Sequence, residues 1–385
     1  MKKMKKVLAV ALSLVMAGSL AACGSSSTET KAPETGASET AAESTAESGS
    51  EAASEVSTDG KVYNIGICQL IQHDALDAAT KGFEDALTEV FGDNVKFDEQ
   101  NAQGDSATCA TIINGFVSNN DDLILANATA ALQAAAAGTD TIPILGTSVT
   151  DYGVALDIDN FDGTVGGNIS GTADLAPLDG QADMLHELFP DAKKIGLLYC
   201  SAEANSKFQV DTIKGYLEKL GYTCEYYAFS DSNDLSSVCT SAANDSDVIY
   251  VPTDNTVANN TEIVNNICTP AGVPVVAGEE GICKGCGVAT LSISYYDLGV
   301  TTGKMAVKIL KDGEDISTMP IEYAPNFTKE YNKDICEELG ITVPDDYVAI
   351  GEAAEDTEEA SDDADAADEA TAETAEDDAT EEADE

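Results

Sequence analysis

Short apolar runs recur along the chain, and each leads through a polar loop into a segment with apolar residues at helical spacing. One such run, Ile195–Tyr199, is followed by a loop that holds Glu203, Asn205 and Ser206, and then by a helical pattern over 208–220. The pattern predicts a strand, a loop and a helix. In open parallel α/β sheets ligands meet the carboxyl ends of the strands, so we expect this polar loop to contact a ligand.

The first half of the chain has the same order. A run at Asn64–Ile67 precedes the loop Gln69–Asp74, and a helical pattern through Phe83 follows. The later runs of the two halves also correspond: Asp121–Thr129 with Ser246–Asn255, and Thr141–Val149 with Gly272–Gly281. The repetition predicts an α/β fold with two lobes that face each other across a cleft.

The chain is expected to pass between these lobes three times, which would form a hinge. A Gly- and Asn-rich connection over 153–174 is the first crossing, the run Val288–Ile293 returns to the first lobe, and Ile321–Tyr323 crosses again. The predicted lobes are residues 61–165 with 291–320, and residues 166–290 with 321–350.

The first 23 residues are predicted to be a signal peptide. Four lysines precede the apolar run Val7–Leu20, which is too short to span a bilayer comfortably, and the segment ends in LAAC at Leu20–Cys23. A cysteine after small residues is typical of a bacterial lipoprotein signal, in which Cys23 receives the lipid. The alternative is an ordinary secretory signal with a chance cysteine. A lipid anchor would hold the protein at a membrane surface.

Two further segments have the composition of disordered chain. Residues 24–60 are mostly Ser, Thr, Ala, Glu and Gly, and residues 351–385 carry 18 acidic side chains and no lysine. Neither segment can bury enough apolar surface to offset its ordering entropy. We predict a disordered linker and a disordered acidic tail, which serves either as a solvated extension or to attract cations.

Charge restricts the classes of ligand. The formal net charge is −51, and the chain contains neither arginine nor tryptophan. This acidity argues against nucleic acid, because its phosphates need basic partners. Without arginine, an anionic ligand group must be held by hydroxyls, by lysine or by backbone N–H groups at helix starts.

Nine cysteines follow Cys23, and several of them lie in apolar strands or helices. The odd number and the positions are unlike a disulfide framework, so we predict mostly reduced thiols that pack as small apolar side chains. Cys283 and Cys286 form a single C-x-x-C, which is half of a zinc site without a second pair. A structural loop or an opportunistic disulfide is favoured there over a metal or redox site.

Several polar residues stand where predicted strands end, and we take them as candidate ligand contacts. They are Gln69, His73, Asn127, Thr147, Ser148, Asp254, Asn255 and Glu279. The same residue types also build turns and cap helices, so each has a structural alternative. A nucleophile–base pair, a phosphate-binding loop and a metal cluster are not recognisable, which argues against an enzyme and against a cofactor.

Seven segments carry a resemblance to a known family. They are IGICQLIQHDALDAATKGF (Ile65–Phe83), GTSVTD (Gly146–Asp151), NISGTAD (Asn168–Asp174), LLYCSAEANS (Leu197–Ser206), VPTDNTV (Val251–Val257), GEEG (Gly278–Gly281) and SISYYDLG (Ser292–Gly299). Together they resemble the solute-binding lipoproteins of ABC importers, in the family assigned to tryptophan and other aromatic amino acids.

The resemblance spans nearly all of Lys61–Val348. It implies a type I periplasmic-binding-protein fold: two Rossmann-like lobes with parallel sheets, joined by a three-crossing hinge. It also implies a monomer outside the cytoplasm that captures an amino acid and delivers it to an ABC permease in the membrane. Two departures affect the wall of the first lobe. The first loop reads QHDALD where the family usually has EHPALD, and Tyr152 stands where a proline is common.

An amino-acid zwitterion needs donors for its carboxylate and an acceptor for its ammonium group. We assign the carboxylate to Thr147 and Ser148, aided by Asn205 and Ser206. The ammonium group is assigned to Asp254, with Asn255 and Glu203 in support. The remaining candidates would border the ligand side chain: Gln69, His73 and Asn127. A sugar or a nucleoside in the same fold, and a ligand-sensing surface lipoprotein, remain the alternatives.

Overall fold

The computed structural model describes residues 60–324 and 326–351 of the chain. The expected signal peptide with Cys23 lies outside these residues, as do nearly all of the expected linker and acidic tail. Within the described ranges, no helix combines the length and the apolar character needed to cross a membrane. Strands and helices are numbered below along the chain.

The first sheet has six strands, and every neighbouring pair runs parallel. Its members are β1 (Tyr63–Gln69), β2 (Val95–Asn101), β3 (Leu123–Asn127), β4 (Ile144–Val149), β5 (Ile169–Ala173) and β11 (Glu322–Tyr323), in the order β11-β5-β4-β3-β1-β2. The central strands β3 and β4 are buried along their whole length. Such continuous burial is expected of a parallel sheet covered by helices on both faces.

The second sheet has seven strands. They are β6 (Lys194–Cys200), β7 (Thr223–Phe229), β8 (Val248–Val251), β9 (Val275–Ala277), β10 (Ala289–Ser292), β12 (Thr328–Tyr331) and β13 (Val348–Ala349), in the order β13-β12-β10-β9-β8-β6-β7. All neighbouring pairs are parallel except β10 with β12. The expected α/β fold with two lobes is therefore confirmed.

Helices cover both sheets on both faces. Those of the first lobe are α1 (Asp74–Phe91), α2 (Ser106–Asn119), α3 (Thr129–Gly138), α4 (Tyr152–Ala155) and α11 (Tyr295–Val307). Those of the second lobe are α5 (Leu178–Leu188), α6 (Ala204–Lys219), α7 (Ser232–Asp245), α8 (Asn255–Ala258), α9 (Thr261–Ala271), α10 (Glu280–Cys286) and α12 (Lys333–Leu339). In the first lobe, α1 and α11 bury one face of the sheet, and α2 and α3 bury the other.

The chain passes between the two sheets after β5, after β10 and after β11. These positions differ from the expected lobe limits. Residues 166–173 belong with the first lobe because β5 pairs with β4, and the run at Val288–Ile293 stays in the second lobe because β10 pairs with β9 and β12. Ile321–Tyr323 does not cross either, since β11 extends the first sheet beside β5. Strand pairing decides these memberships, and a run of apolar residues does not reveal its neighbours.

Helices α1 and α11 approach each other backbone to backbone. A Cβ atom added at Gly299 would lie 2.0 Å from the carbonyl oxygen of Ala79, and one at Gly82 would lie 2.1 Å from that of Tyr296. Only glycine fits at these distances. The close contact places the first residue of α11, Tyr295, beside the start of α1 at the carboxyl edge of the first sheet.

Replacing Gly299 with alanine should therefore destabilise the fold. The added methyl group forces the two helices apart, at a cost of about 1–3 kcal/mol. Gly215 in α6 is a matched control because a Cβ atom there meets nothing within 4 Å. Gly215→Ala should raise the free energy of unfolding by up to about 1 kcal/mol. Urea unfolding of both variants checks this, and equal effects would contradict the close packing.

Candidate functional site

A small cavity lies between the two lobes, where loops from the carboxyl edges of both sheets meet. The first lobe contributes His73, Ala75, Leu76, Ser148, Thr150 and Tyr295, Asp174 follows β5, and the second lobe contributes Asn205, Thr253, Asp254, Asn255, Ala258 and Glu279. Its volume is about 10 Å³, which is close to the space of one water molecule. A wider region of about 290 Å³ adjoins it and shares Ala75, Glu279 and Tyr295.

Three polar contacts connect the lobes around this cavity. The ring nitrogen Nε2 of His73 lies 3.2 Å from Asn255 Oδ1. Gln209 Nε2 donates to the Thr150 hydroxyl at 3.2 Å. At the exposed edge of the cleft, Lys284 and Asp74 form an ion pair at 2.7 Å. These contacts hold the two lobes together around the cavity.

Asp254 is almost completely buried, and its carboxylate serves the fold of the second lobe. Oδ2 accepts a hydrogen bond from the backbone N–H of Cys200 at 2.6 Å, and Oδ1 accepts from that of Val257 at 2.9 Å. The second bond caps the start of α8. Burial and the nearby Glu203 carboxylate raise the pKa of Asp254 to about 8. The Asp254 carboxyl group therefore stabilises the end of β6 and the start of α8.

Glu203 also supports α8 rather than the cavity. Its two oxygens accept hydrogen bonds from the backbone N–H groups of Asn255 at 3.0 Å and of Thr256 at 2.9 Å. The Asn255 amide nitrogen and the Thr256 hydroxyl donate to the same carboxylate. A negative group at a helix start is stabilising, and here it fixes the orientation of the Asn255 side chain.

Glu279 caps α10 in a similar way. Its side chain accepts from the backbone N–H groups of Gly281 at 2.6 Å and Ile282 at 2.5 Å. Burial raises its pKa to about 7. Both lobe-two carboxylates on the cavity wall are thus already engaged by helix N–H groups.

Two polar atoms of the neighbouring strand ends β4 and β5 have no hydrogen-bond partner. They are Ser148 Oγ and Asp174 Oδ1, both buried. The Asp174 N–H donates to the carbonyl oxygen of Val149, which keeps the two strand ends adjacent. The other Asp174 oxygen accepts from the Tyr295 hydroxyl at 2.9 Å. Burial raises the pKa of Asp174 to about 6, and the Tyr295 hydrogen bond offsets part of that rise, as does the nearby Thr150 hydroxyl, which forms no hydrogen bond of normal geometry with Oδ1.

A third unpartnered atom on the cavity wall is Nδ1 of His73. His73 stands immediately before α1 and adjoins Ala75 and Leu76 of that helix. Burial lowers the pKa of its imidazole, and the contacts with Asn255 and nearby acidic groups oppose that change. Among the described residues, seven buried side-chain atoms lack a partner, and three of them belong to residues that line this cavity.

The cavity brings together six of the residues selected from the sequence. They are His73, Ser148, Asn205, Asp254, Asn255 and Glu279. Five others do not line it: Gln69, Asn127, Thr147, Glu203 and Ser206. Ser206 is fully buried. Its hydroxyl oxygen accepts a hydrogen bond from the Asn205 side-chain amide and lies beside the Asp254 carboxylate.

Gln69 and Asn127 fix α1 to the sheet instead of bordering a ligand. They are partners in the register of β1 and β3, and both bind the Thr80 hydroxyl, at 2.7 and 3.0 Å. Asn127 Nδ2 also donates to the carbonyl oxygen of Leu76. These bonds hold the start of the helix that carries the cavity wall.

Thr147 does not face the cleft, which contradicts its assignment to the ligand carboxylate. Its hydroxyl accepts from the hydroxyls of Thr172 and Thr302, both at 3.2 Å. It is completely buried in this threonine cluster between β4, β5 and α11. Ser148 has a left-handed backbone conformation (φ 53°) at an irregularity in the pairing of β4 with β5, and its side chain lines the cavity whereas that of Thr147 does not.

Four polar cavity residues were not among those candidates: Thr150, Asp174, Thr253 and Tyr295. Asp174 carries the clearest signal that was missed. It directly follows ISGTA, which the Gly- and Asn-rich context led us to interpret as a connection although it forms β5. Asp254 was chosen as a candidate because its carboxylate follows a predicted strand, and Asp174 has the same position after β5.

The nine cysteines of the described chain are all buried free thiols, as expected. Cys283 and Cys286 lie within α10, and burial raises the pKa of both. No group of three or more His, Cys, Asp or Glu side chains suited to a metal ion occurs in the described ranges.

Comparison with known proteins assigns the class. Residues 64–355 match the family described as "ABC transporter substrate binding protein". The chain belongs to this family of substrate-binding proteins, whose role is binding rather than catalysis.

Individual proteins similar to this chain are consistent with that family. A "Tyrosine-binding protein" of Clostridioides difficile is 39% identical over 278 residues, which are 71% of this chain and 80% of the relative. A Streptococcus pneumoniae domain in complex with L-Trp is 35% identical, with a TM-score of 0.71 over 74% of this chain and 97% of that one. The ligand-free, open structure of a C. difficile substrate-binding protein with adhesive properties is 39% identical, with a TM-score of 0.59 over 75% and 99%.

Removal of the Asp174 charge should change the pH dependence of stability. Because burial raises its pKa from 3.8 to about 6, the folded state holds a proton that the unfolded chain releases, and stability is lost as pH rises through 6. Between pH 5 and pH 8 this amounts to about 1.4 kcal/mol. The introduced asparagine would not titrate, so the free energy of unfolding of Asp174→Asn should not show this decrease. The variant should therefore be more stable than the wild type at pH 8.

Urea unfolding at the two pH values measures the difference. The same substitution at Asp183, which is exposed on α5, serves as the control and should leave the pH dependence as in the wild type. Identical pH dependence in Asp174→Asn and wild type would show that Asp174 is not desolvated.

Proposed function

We propose that this protein is an extracytoplasmic solute-binding lipoprotein of an ABC importer, which captures an aromatic L-amino acid between its lobes and delivers it to the membrane permease. The observation that carries the proposal is the pair of unpartnered atoms on adjacent strand ends, a hydroxyl of Ser148 and a carboxylate oxygen of Asp174. Buried polar atoms normally have partners, so an unpartnered donor beside an unpartnered acceptor fits a ligand that carries both charges.

The zwitterionic group of the ligand is assigned to these two atoms. Ser148 donates its hydroxyl hydrogen to the ligand carboxylate, and Asp174 Oδ1 accepts from the ligand ammonium group. This assignment replaces the one to Asp254, because both Asp254 oxygens already accept backbone hydrogen bonds. Asn205 remains a candidate contact from the second lobe, since it lines the same cavity.

The apolar part of the wall suits an aromatic side chain. Ala75 and Leu76 of α1, Ala258 of α8 and Tyr295 of α11 all line the cavity. The two relatives with named ligands, tyrosine and L-Trp, support an aromatic ring.

Entry of an amino acid requires the lobes to separate. The interlobe cavity has the volume of about one water molecule, and the three interlobe contacts are polar groups that water can replace. The chain also superposes better on the L-Trp complex than on the open structure, although it shares more sequence with the latter. Both observations favour a hinged cleft that closes on its ligand.

Calorimetry on the folded body, residues 60–351, tests the proposal. L-Tyr, L-Trp or L-Phe should bind, and Asp174→Asn should weaken the ligand that binds best by at least about a hundredfold, because a buried ammonium group loses its counter-charge. The wild type should reject the decarboxylated amines, which lack the group that Ser148 holds.

Two outcomes would contradict the proposal in different ways. Absence of heat with any aromatic amino acid, together with a thermal shift by a sugar or a nucleoside, would change the ligand class. Wild-type affinity in Asp174→Asn would move the ammonium site elsewhere. Asp183→Asn is the matched control and should bind like the wild type.

The lipid anchor is proposed from the sequence at Leu20–Cys23 alone, since this segment lies outside the described residues. Cys23→Ser removes the thiol that would be acylated. The variant should take up no labelled fatty acid and should leave the membrane fraction, whereas the wild type should be labelled. Labelling of the variant would exclude Cys23 as the lipidation site.

A further inference from the structure

The side-chain amide of Asn255 has a fixed orientation. Its Nδ2 donates to Glu203 Oε2 at 2.7 Å, and a carboxylate can only accept. The amide oxygen Oδ1 therefore points to the other side, where it lies 3.2 Å from His73 Nε2. Because Oδ1 is an acceptor, Nε2 of His73 must carry the hydrogen.

This contact determines what Nδ1 of His73 offers to the cavity. Burial lowers the pKa of the imidazole, even though Glu203, Asp77 and Asp74 act in the opposite direction. The ring is thus neutral at neutral pH, and a neutral ring with hydrogen on Nε2 has a lone pair on Nδ1. Nδ1 is buried and has no partner, and it belongs to a residue that lines the cavity, so it is an unused acceptor.

The acceptor lies beside the start of α1. His73 is close in sequence to the cavity-lining apolar residues Ala75 and Leu76, whereas Ser148 lies near the end of strand β4 and Asp174 follows strand β5. Strand β3 separates β4 from β1, the strand that leads to His73, so the carboxyl ends of β1 and β4 are about two strand spacings apart. That distance, roughly 10 Å, is comparable to the length of an aromatic amino acid.

We propose that His73 is a specificity-determining residue, which selects aromatic amino acids whose ring carries a hydrogen-bond donor. The phenol hydroxyl of tyrosine or the indole N–H of tryptophan donates to Nδ1, whereas phenylalanine leaves it buried and unpaired. Asn255 acts as a positioning residue, because it holds the imidazole in the required tautomer. This inference rests on the proposed function and adds the ligand class that the site favours.

The preference follows from the energy of an unpaired buried group. A site that hydrogen-bonds a ligand donor discriminates against the analogue that lacks it, mainly because the site's own polar atom then has no partner. We expect the wild type to bind the better of L-Tyr and L-Trp about 10- to 100-fold more tightly than L-Phe. 4-Fluoro-L-phenylalanine nearly fills the volume of tyrosine without a donor and should bind like L-Phe.

The decisive measurement is the ratio of the L-Phe dissociation constant to that of the preferred donor-bearing ligand. In His73→Leu this ratio should fall to about one, through loss of affinity for the donor-bearing ligand and not for L-Phe. In Asn255→Ala the ratio should also fall, although His73 is still present, because its tautomer is no longer fixed. Thermal melting confirms that each variant is folded.

His186→Leu is the matched control. It removes the chain's other histidine, whose Nδ1 contacts the Tyr222 hydroxyl at 2.7 Å in the second lobe and does not line the cavity. It should leave the ratio unchanged. A merely structural role of His73 would weaken all ligands equally and preserve the ratio in His73→Leu, which would overturn the inference.

Two further outcomes separate this inference from the proposed function. If the wild type binds L-Tyr, L-Trp and L-Phe with equal affinity, only the role of His73 fails. If it binds none of the three, the aromatic ligand itself is wrong and both proposals fall.

Discussion

Closing two lobes over a cavity removes carboxylates, amides and hydroxyls from water, and each of these groups then needs a hydrogen-bond partner. The second lobe meets this requirement internally. Asp254 and Glu279 accept from backbone N–H groups at the starts of α8 and α10, and Glu203 accepts from four donors of Asn255 and Thr256. The main role of these carboxylates is therefore to stabilise the starts of short helices.

Among the first-lobe residues that line the cavity, three carry a buried side-chain atom without a hydrogen-bond partner, which has an energetic cost. An unpaired buried donor or acceptor destabilises a fold by about 1–3 kcal/mol. Ser148, Asp174 and His73 carry such atoms on a single cavity wall, whereas their neighbours Thr147 and Thr150 are hydrogen-bonded within the protein. Unpartnered polar atoms are expected to cluster where a ligand supplies the missing hydrogen-bond partners. These three residues therefore lower the stability of the ligand-free fold and favour ligand binding.

The sequence was sufficient for the class of fold but not for the direction of each side chain. Strong apolar runs such as Ile195–Tyr199 predicted central strands, while the edge strands β2 and β7 are half polar and gave no comparable signal. Gln69 and Asn127 were expected to border the ligand, yet they face Thr80 because α1 packs against that edge of the sheet. Such choices depend on strand register and helix packing, which only the folded chain determines.

The close contact of α1 with α11 involves main chain at Gly82 and Gly299, and both helices begin at the cavity. His73 and Tyr295 are thereby held in one rigid body together with Ser148, and Asp174 is joined to it by the Tyr295 hydroxyl. Half of the proposed binding site is thus preorganised in a single lobe, and its ordering entropy is lost during folding instead of on association. In the proposed hinged mechanism a solute would dock on that surface while the cleft is open, so recognition would precede closure and the second lobe would mainly slow dissociation.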